Sequence, residues 1–184
     1  MKRSKQDWIH TGLELLRIHG EQALTIERLC QTLEISKGSF YHHFGDLERY
    51  QTTLVEFWEQ TFTQQPIETA WQYQHPAQRA VVLGETVRQL DHQLDLAFRA
   101  WGLHDPIIKA AVNRVDTRRL EALTGLHHIQ GHPHPEQLAQ LEYAAFIGAQ
   151  HLGFIPQYAQ IEQMLMRSLS LLVQDLNRPS NQGA

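Results

Sequence analysis

The chain has 184 residues, 42% hydrophobic and 20% charged, enough for one globular domain or for a small domain joined to a larger one. Its apolar runs are only a few residues long, far short of the roughly 20 that a membrane-spanning helix needs, and no signal-type apolar segment follows the basic start MKRSKQDW, so neither a membrane partner nor secretion is expected. The formal net charge of −4 looks wrong for a nucleic-acid partner, but seven Lys and Arg meet seven Asp and Glu up to Tyr50 and the deficit lies beyond, so charge permits DNA without favouring it.

Apolar residues recur at helical spacing nearly throughout. There is no strand-like alternation and no Asn-Gly or Asp-Gly hairpin signal, which predicts an all-α fold of about nine helices. The first helix is predicted from about Lys5 to His19. Trp8, Ile9, Gly12, Leu13, Leu15 and Leu16 form its apolar face, and Gly20 stands where a left-handed C′ residue would. Thr25 caps a second helix that carries Ile26, Leu29, Cys30 and Leu33 inward, with Leu24 and Leu29 as a hydrophobic staple. Ser36 repeats the device. Its hydroxyl is placed to cap a short third helix ending at Gly45, with Ile35 and Phe40 as the second staple. Asp46 caps a longer fourth helix, striped by Leu47, Tyr50, Leu54, Phe57, Trp58 and Phe62, and predicted to stop before Pro66.

A separate helical body follows. A helix from about Ala77 carries Val81, Val82 and Val87 and continues, with a break near Asp91, through Leu90, Leu94, Phe98 and Trp101. Asp105 caps the next helix and Pro106 opens it; Ile108, Val112, Val115 and Leu123 point inside, to about His127. Pro135 opens another through Leu138, Leu141, Ala145, Gly148 and Leu152, ended by Phe154-Ile155-Pro156. The last helix runs from about Ala159 to Asn177 with Ile161, Leu165, Leu169, Leu172 and Leu176, and RPSNQGA reads as a frayed tail.

Two short capped helices joined by a tight turn, with one packing helix before and one after, are the layout of a helix-turn-helix unit. In such a unit the second short helix lies in the major groove. Here Lys37 can reach a guanine edge or a phosphate, Gly38 lets the backbone approach closely, and Ser39 can bond a base or a phosphate. Tyr41 and His42 project toward the DNA backbone. Thr25 and Ser36 mark helix N-termini whose free N–H groups suit phosphates, and Arg28 can touch a base or a phosphate. Lys2, Arg3 and Lys5 form a basic arm for the minor groove or phosphates, while Phe40 and Phe44 belong to the core.

The stretch TIERLCQTLEISKGSFYHHF, residues 25–44, resembles the DNA-binding signature of the tetracycline-repressor (TetR) family of bacterial regulators. Thr25, Ile26, Leu29, Ile35, Ser36, Lys37, Gly38, Tyr41, His42 and Phe44 carry the resemblance. FRAWGLHDPIIKAAVNRVDTRRL, residues 98–120, is more loosely similar to a segment of some regulatory domains in that family. Three positions depart from the pattern: Glu34 replaces the turn glycine, Cys30 a small residue, and Leu47 a lysine whose phosphate contact falls to Arg49 if it is kept. The resemblance implies residues 1–62 as the DNA-binding domain and residues 63–184 as a ligand-binding and dimerising body. It also implies a cytoplasmic regulator, repression by default, and no cofactor.

One helix-turn-helix makes few contacts, so a homodimer on a palindromic double-stranded operator is expected. Ala144, Ala145, Gly148 and Ala149 offer a small-residue face, and the leucines of the last helix exceed the needs of one core; both are read as a dimer-forming bundle. The family resemblance implies a small-molecule effector held between the central helices. Those helices bring Trp71, Leu94, Phe98, Trp101, Tyr143 and Phe146, with His104 and His151 as polar handles, which suits an apolar or aromatic ligand with one or two hydrogen-bonding groups. Helix four is the expected lever between this pocket and the DNA.

Other chemistries fare less well. His127, His128, His132 and His134 invite a metal-responsive alternative, but that tract holds no carboxylate or cysteine, and no metal site is expected. His104-Asp105 and His92 beside Asp91 are adjacent in sequence and do not face each other on a helix; no nucleophile elbow, P-loop or zinc-protease pattern occurs, so no enzyme is expected. The single cysteine, Cys30, excludes an internal disulfide, fits a reducing compartment, and sits on an inward face where a thiol is inert.

Overall fold

The computed structural model describes residues 3–176, the side chains at 170 and 172–176 excepted. Within these residues it is built of α-helices without a strand: α1 (Lys5–His19), α2 (Ile26–Leu33), α3 (Lys37–Phe44), α4 (Leu47–Glu59), α5 (Gln65–Trp71), α6 (Pro76–Arg88), α7 (His92–Trp101), α8 (Pro106–Ile129), α9 (Pro135–Leu152) and α10 (Tyr158–Leu176). The tail RPSNQGA, Lys2, and the inward side chains expected at Leu172 and Leu176 lie outside the described residues.

The starts of these helices follow from short polar side chains. Thr25 Oγ1 accepts from the Arg28 N–H, and Asp46 Oδ1 from the Arg49 N–H, at 3.2 and 2.8 Å. Asp105 accepts from Ile107 and Ile108 ahead of Pro106, and Asp91 restarts the chain at α7. Ser4 and Asp7 add a reciprocal capping box at α1. Ser36 differs from expectation: it stands at the N-cap of α3 with extended backbone, but its hydroxyl makes no cap bond. Gly20 has positive φ but extended ψ, and leads into a one-turn 3₁₀ segment, Glu21–Ala23, in place of a left-handed cap.

A larger departure lies at Pro66. The fourth helix does not stop before it; α4 passes through a π-turn at Gln60–Gln64 into α5. In an α-helical ladder the N–H of residue 66 would bond the Phe62 carbonyl, and proline has none to give. Arg119 Nη2 from α8 donates to that carbonyl at 3.2 Å, and Arg119 Nε to Thr63 Oγ1 at 3.1 Å. A wider turn with an external donor carries the helix through its proline. The expected domain division after residue 62 therefore falls inside a continuous helical rod.

The core is also continuous across that division. Trp8, Phe40, Phe44 and Tyr50 pack edge-to-face around α1, α3 and α4, with Trp8–Phe40 and Phe40–Tyr50 ring centroids 5.5 and 5.4 Å apart. The Tyr50 hydroxyl donates to the Trp8 carbonyl at 2.7 Å. The same cluster runs on through Leu54 and Trp58 to Phe98, Trp101, Ile108 and Val115 in α7 and α8. Trp58 and Phe98 stack at 4.6 Å.

The tight turn between α2 and α3 is made by Glu34 in the left-handed region, φ 56° and ψ 45°, where a side chain is disfavoured. Glu34→Gly is expected to raise stability by about 1 kcal/mol, or about 2–4 °C in melting temperature, measured by thermal unfolding.

Candidate functional sites: a nucleic-acid face and a cavity

Helix α3 is held by its buried side and presents the other. Phe40 and Phe44 are fully or nearly fully buried, whereas Ser36, Lys37, Gly38, Tyr41 and His42 are exposed and Ser39 is half-buried. Thr25 and Arg28 are exposed at the start of α2. The residues expected to face DNA thus share a solvent-exposed surface at the α2–α3 end. Its donors are only partly engaged: Lys37 Nζ bonds Glu27 Oε1, while the Ser36 hydroxyl makes no cap bond to α3. So exposed a pair contributes little stability and yields readily to a competing anion.

The basic arm is tethered. Arg3 Nη2 lies 3.5 Å from the Leu33 carbonyl, the Arg3 carbonyl pairs with His43 Nε2 at 3.2 Å, and Lys5 Nζ sits over the Phe44 ring at 5.6 Å. These contacts place Arg3 and Lys5 beside α2 and α3. Cys30 is 8% exposed, and burial pushes its thiol up, which leaves it little thiolate.

Behind α4 the body encloses a cavity of about 110 Å³ between the π-turn and α5–α10. Of the eight residues expected to line a pocket, Tyr143 and Phe146 do so. Leu94, Phe98 and Trp101 instead fill the core that joins α4 to α7, because α7 turns that face toward Trp58. Trp71 sits at the surface under Arg79, whose guanidinium lies 5.7 Å from the ring. His104 is exposed in the α7–α8 turn, and exposed His151 bonds back to the Ile147 carbonyl. The walls are mostly aliphatic and aromatic side chains such as Phe62, Pro66, Ile67 and Leu83.

The floor of the cavity is polar, and its residues had no motif to announce them. Asp95 on α7 is 1% exposed. Its carboxylate accepts from Arg119 Nη2 at 2.9 Å, Arg99 Nε at 3.3 Å, Trp58 Nε1 at 3.0 Å and Gln150 Nε2 at 3.3 Å. Burial raises its pKa, but Arg119, Arg99 and the Trp58 N–H outweigh burial and hold it at about 2. Arg99 also forks onto Asp116 at 2.7 and 3.1 Å and donates to Tyr143 Oη at 2.8 Å. Burial pushes the Tyr143 phenol up to about 12, and it donates to Asp116 at 2.6 Å. Arg119 and Tyr143 had only a helical pattern to mark them, and Asp95 reads in sequence as a surface residue four positions from Arg99. What could have betrayed them is the density of ionisable side chains on helices that must be buried.

The histidine tract is split. His127 is 4% exposed and bonds Glu142 at 2.8 Å, and the His132 ring lies 5.4 Å away from it; His128 and His134 are exposed. Among the described residues no group of three or more His, Cys, Asp or Glu is placed to hold a metal ion. Nor is any described helix long and apolar enough to cross a membrane.

Residues 9–48 match the family described as bacterial regulatory proteins, tetR family. The whole chain is similar in fold to E. coli NemR in its reduced form, with a TM-score of 0.71 and 18% identity over 90% of this chain and 95% of that one. It is also similar to a protein described as a transcriptional regulator of the TetR/AcrR family, at TM-score 0.69 and 18% identity over 91% and 96%. A third likeness, at TM-score 0.59 and 18% identity over 93% and 96%, is to a structure described as a tetR family transcription regulator from Shewanella sp. PV-4. No curated protein matches the chain in sequence.

Asp95→Asn leaves the buried Arg119 guanidinium without its counter-charge and Arg99 with Asp116 alone, and is expected to cost about 3–5 kcal/mol in urea unfolding. The Asp95 pKa is lower folded than unfolded, so its stabilisation is present above pH 3.8 and fades as pH falls toward about 2. Acid unfolding of the variant should lack that component.

Proposed function

We propose, from the match of residues 9–48 to the tetR family of bacterial regulatory proteins, a homodimeric transcriptional regulator of that family whose two α3 helices read a palindromic operator. The observation that carries the reading is the exposed face of α3, with Lys37, Gly38, Tyr41 and His42 outward and two buried phenylalanines behind. Lys37 and Ser39 are assigned to base edges or phosphates, and Tyr41 and His42 to the backbone. Thr25, Ser36 and Arg28 are assigned to phosphates around the two helix N-termini. The division between reading domain and body is drawn at the π-turn.

Dimerisation is assigned to α9 and α10. Leu141, Leu152, Phe154, Met164 and Leu171 are exposed there at 48–71%, large apolar side chains that a second copy can cover. Ala144 is exposed on α9, and a Cβ added at Gly148 would meet nothing within 4 Å, so a second helix has room to approach. Ala145 and Ala149 turn toward the protomer's own core.

We assign the cavity to a small effector that releases the operator, making the protein a repressor. The Asp95 cluster supports the coupling. It joins cavity-lining residues of α7, α8 and α9 to Trp58 on α4 and to the Phe62 carbonyl in the π-turn. Couplings of this kind are worth about 1–3 kcal/mol.

DNA selected from a random duplex pool provides the test. Lys37→Ala with Tyr41→Ala is expected to lower specific affinity at least about tenfold and to shallow the salt dependence by about one ion. Unchanged affinity and slope would remove α3 as the reading element. Glu27→Gln, which frees Lys37, is expected to tighten binding by up to about fivefold in the same titration.

A further inference from the structure

The cavity floor imposes a hydrogen-bonding pattern that its apolar walls do not. Asp95 is ionised and can only accept. Its Oδ2 lies 3.3 Å from Gln150 Nε2, so the amide nitrogen of Gln150, not its oxygen, faces the carboxylate. The same NH₂ group reaches His92 Nδ1 at 3.1 Å, and that nitrogen must therefore present a lone pair. Burial lowers the His92 pKa against the opposing pull of the Arg88 carbonyl, Asp95 and Asp91, so the ring is neutral, and with Nδ1 accepting from Gln150 its one proton is assigned to Nε2. Two groups are left over: the His92 Nε2–H, a donor, and Gln150 Oε1, an acceptor. Both atoms are buried without a hydrogen-bond partner. Gln150 is 3% exposed, and both residues line the cavity. Such groups in a native interior point to something that enters and pairs with them.

Building on the reading that the cavity takes an effector, we propose that this effector is an uncharged, largely apolar molecule bearing a hydroxyl group, anchored by His92 and Gln150. The hydroxyl oxygen accepts from the His92 Nε2–H, and its proton is donated to Gln150 Oε1. One atom answers both leftover groups. A carbonyl or ether would leave Gln150 unpaired. An ammonium would set a cation against the His92 N–H, and a carboxylate would face both Gln150 Oε1 and Asp95. Phe62, Pro66, Ile67, Leu83, Leu123 and Phe146 receive the apolar body. The remaining charges in the wall are Glu142, Glu162 and Arg88. Glu142 is bonded to His127, and Glu162 lies against both Glu142 and Arg88. A cationic effector drawn to that corner is the competing ligand, and the test separates it.

The full-length protein is titrated by calorimetry with four probes of one shape: indane, indanol, aminoindane and indane carboxylate. Indanol is expected to bind at least about tenfold more tightly than indane, and more tightly than either charged probe. His92→Phe and Gln150→Leu should each remove the indanol advantage while indane affinity holds; Gln150→Leu also lowers the melting temperature, because it takes a donor from Asp95. Nitrogen NMR of the free protein near neutral pH should show a neutral His92 ring protonated at Nε2, a readout that needs no ligand. A proton on Nδ1, equal affinities for indane and indanol, preference for a charged probe, or no binding by any probe overturns the proposal. The selected operator provides a separate arm. If indanol binds with the expected advantage but leaves DNA affinity unchanged, the regulatory reading fails and the ligand class stands.

Discussion

The Asp95 carboxylate is the constraint around which the body is arranged. An ionised group at 1% exposure persists only where opposite charge and donors replace its water. Here Arg119, Arg99, Trp58 and Gln150 do so, and they come from four different helices. The geometry of one carboxylate therefore fixes how α4, α7, α8 and α9 approach one another. Replacing it by a packed apolar side chain could equal its contribution to stability, but not its direction, because apolar contacts do not specify which atom meets which.

That direction matters at both ends of the molecule. Toward the surface, Trp58 and the π-turn tie the cluster to the rod that carries α3 through Phe40, Phe44 and Tyr50. Toward the cavity, Asp95 accepts from the Gln150 amide, whose nitrogen also reaches His92 Nδ1. Arg119 has a second duty, since its bond to the Phe62 carbonyl lets the rod pass Pro66 unbroken. The cavity-lining helices α7, α8 and α9 are thus tied to α4 by hydrogen bonds of defined geometry. The net charge of −4 does not oppose a DNA-facing surface, because the cations near α2 and α3 are held there by Leu33, His43 and Phe44 while the acidic excess lies in the body.

Helix starts and the exposed face of α3 were legible in the sequence because they are local. Thr25, Asp46 and Asp105 cap the helices they precede, and Phe40 and Phe44 sit at the spacing that buries one side of α3. The rod through Pro66 was not legible, because the donor that rescues it stands 57 residues away on α8. The cavity was misread for a related reason. Periodicity marks Leu94, Phe98 and Trp101 as inward but cannot say whether the inward neighbour is α4 or an empty space. His92 has no partner beside it in the chain; the group it meets is Gln150, 58 residues on. Polar clusters of this type are assembled by tertiary contacts, and composition alone treats their members as surface.

The central claim is that the Asp95 cluster physically connects the cavity to α4, the helix packed behind α3. Trp58→Phe keeps the ring stacked on Phe98 but removes the N–H given to Asp95. Amide hydrogen exchange on the full-length protein tests the link without ligand or DNA. The account predicts at least about tenfold faster exchange through residues 55–67, with slower-exchanging α1 amides unaffected. Exchange in that stretch indistinguishable from the parent protein would contradict it.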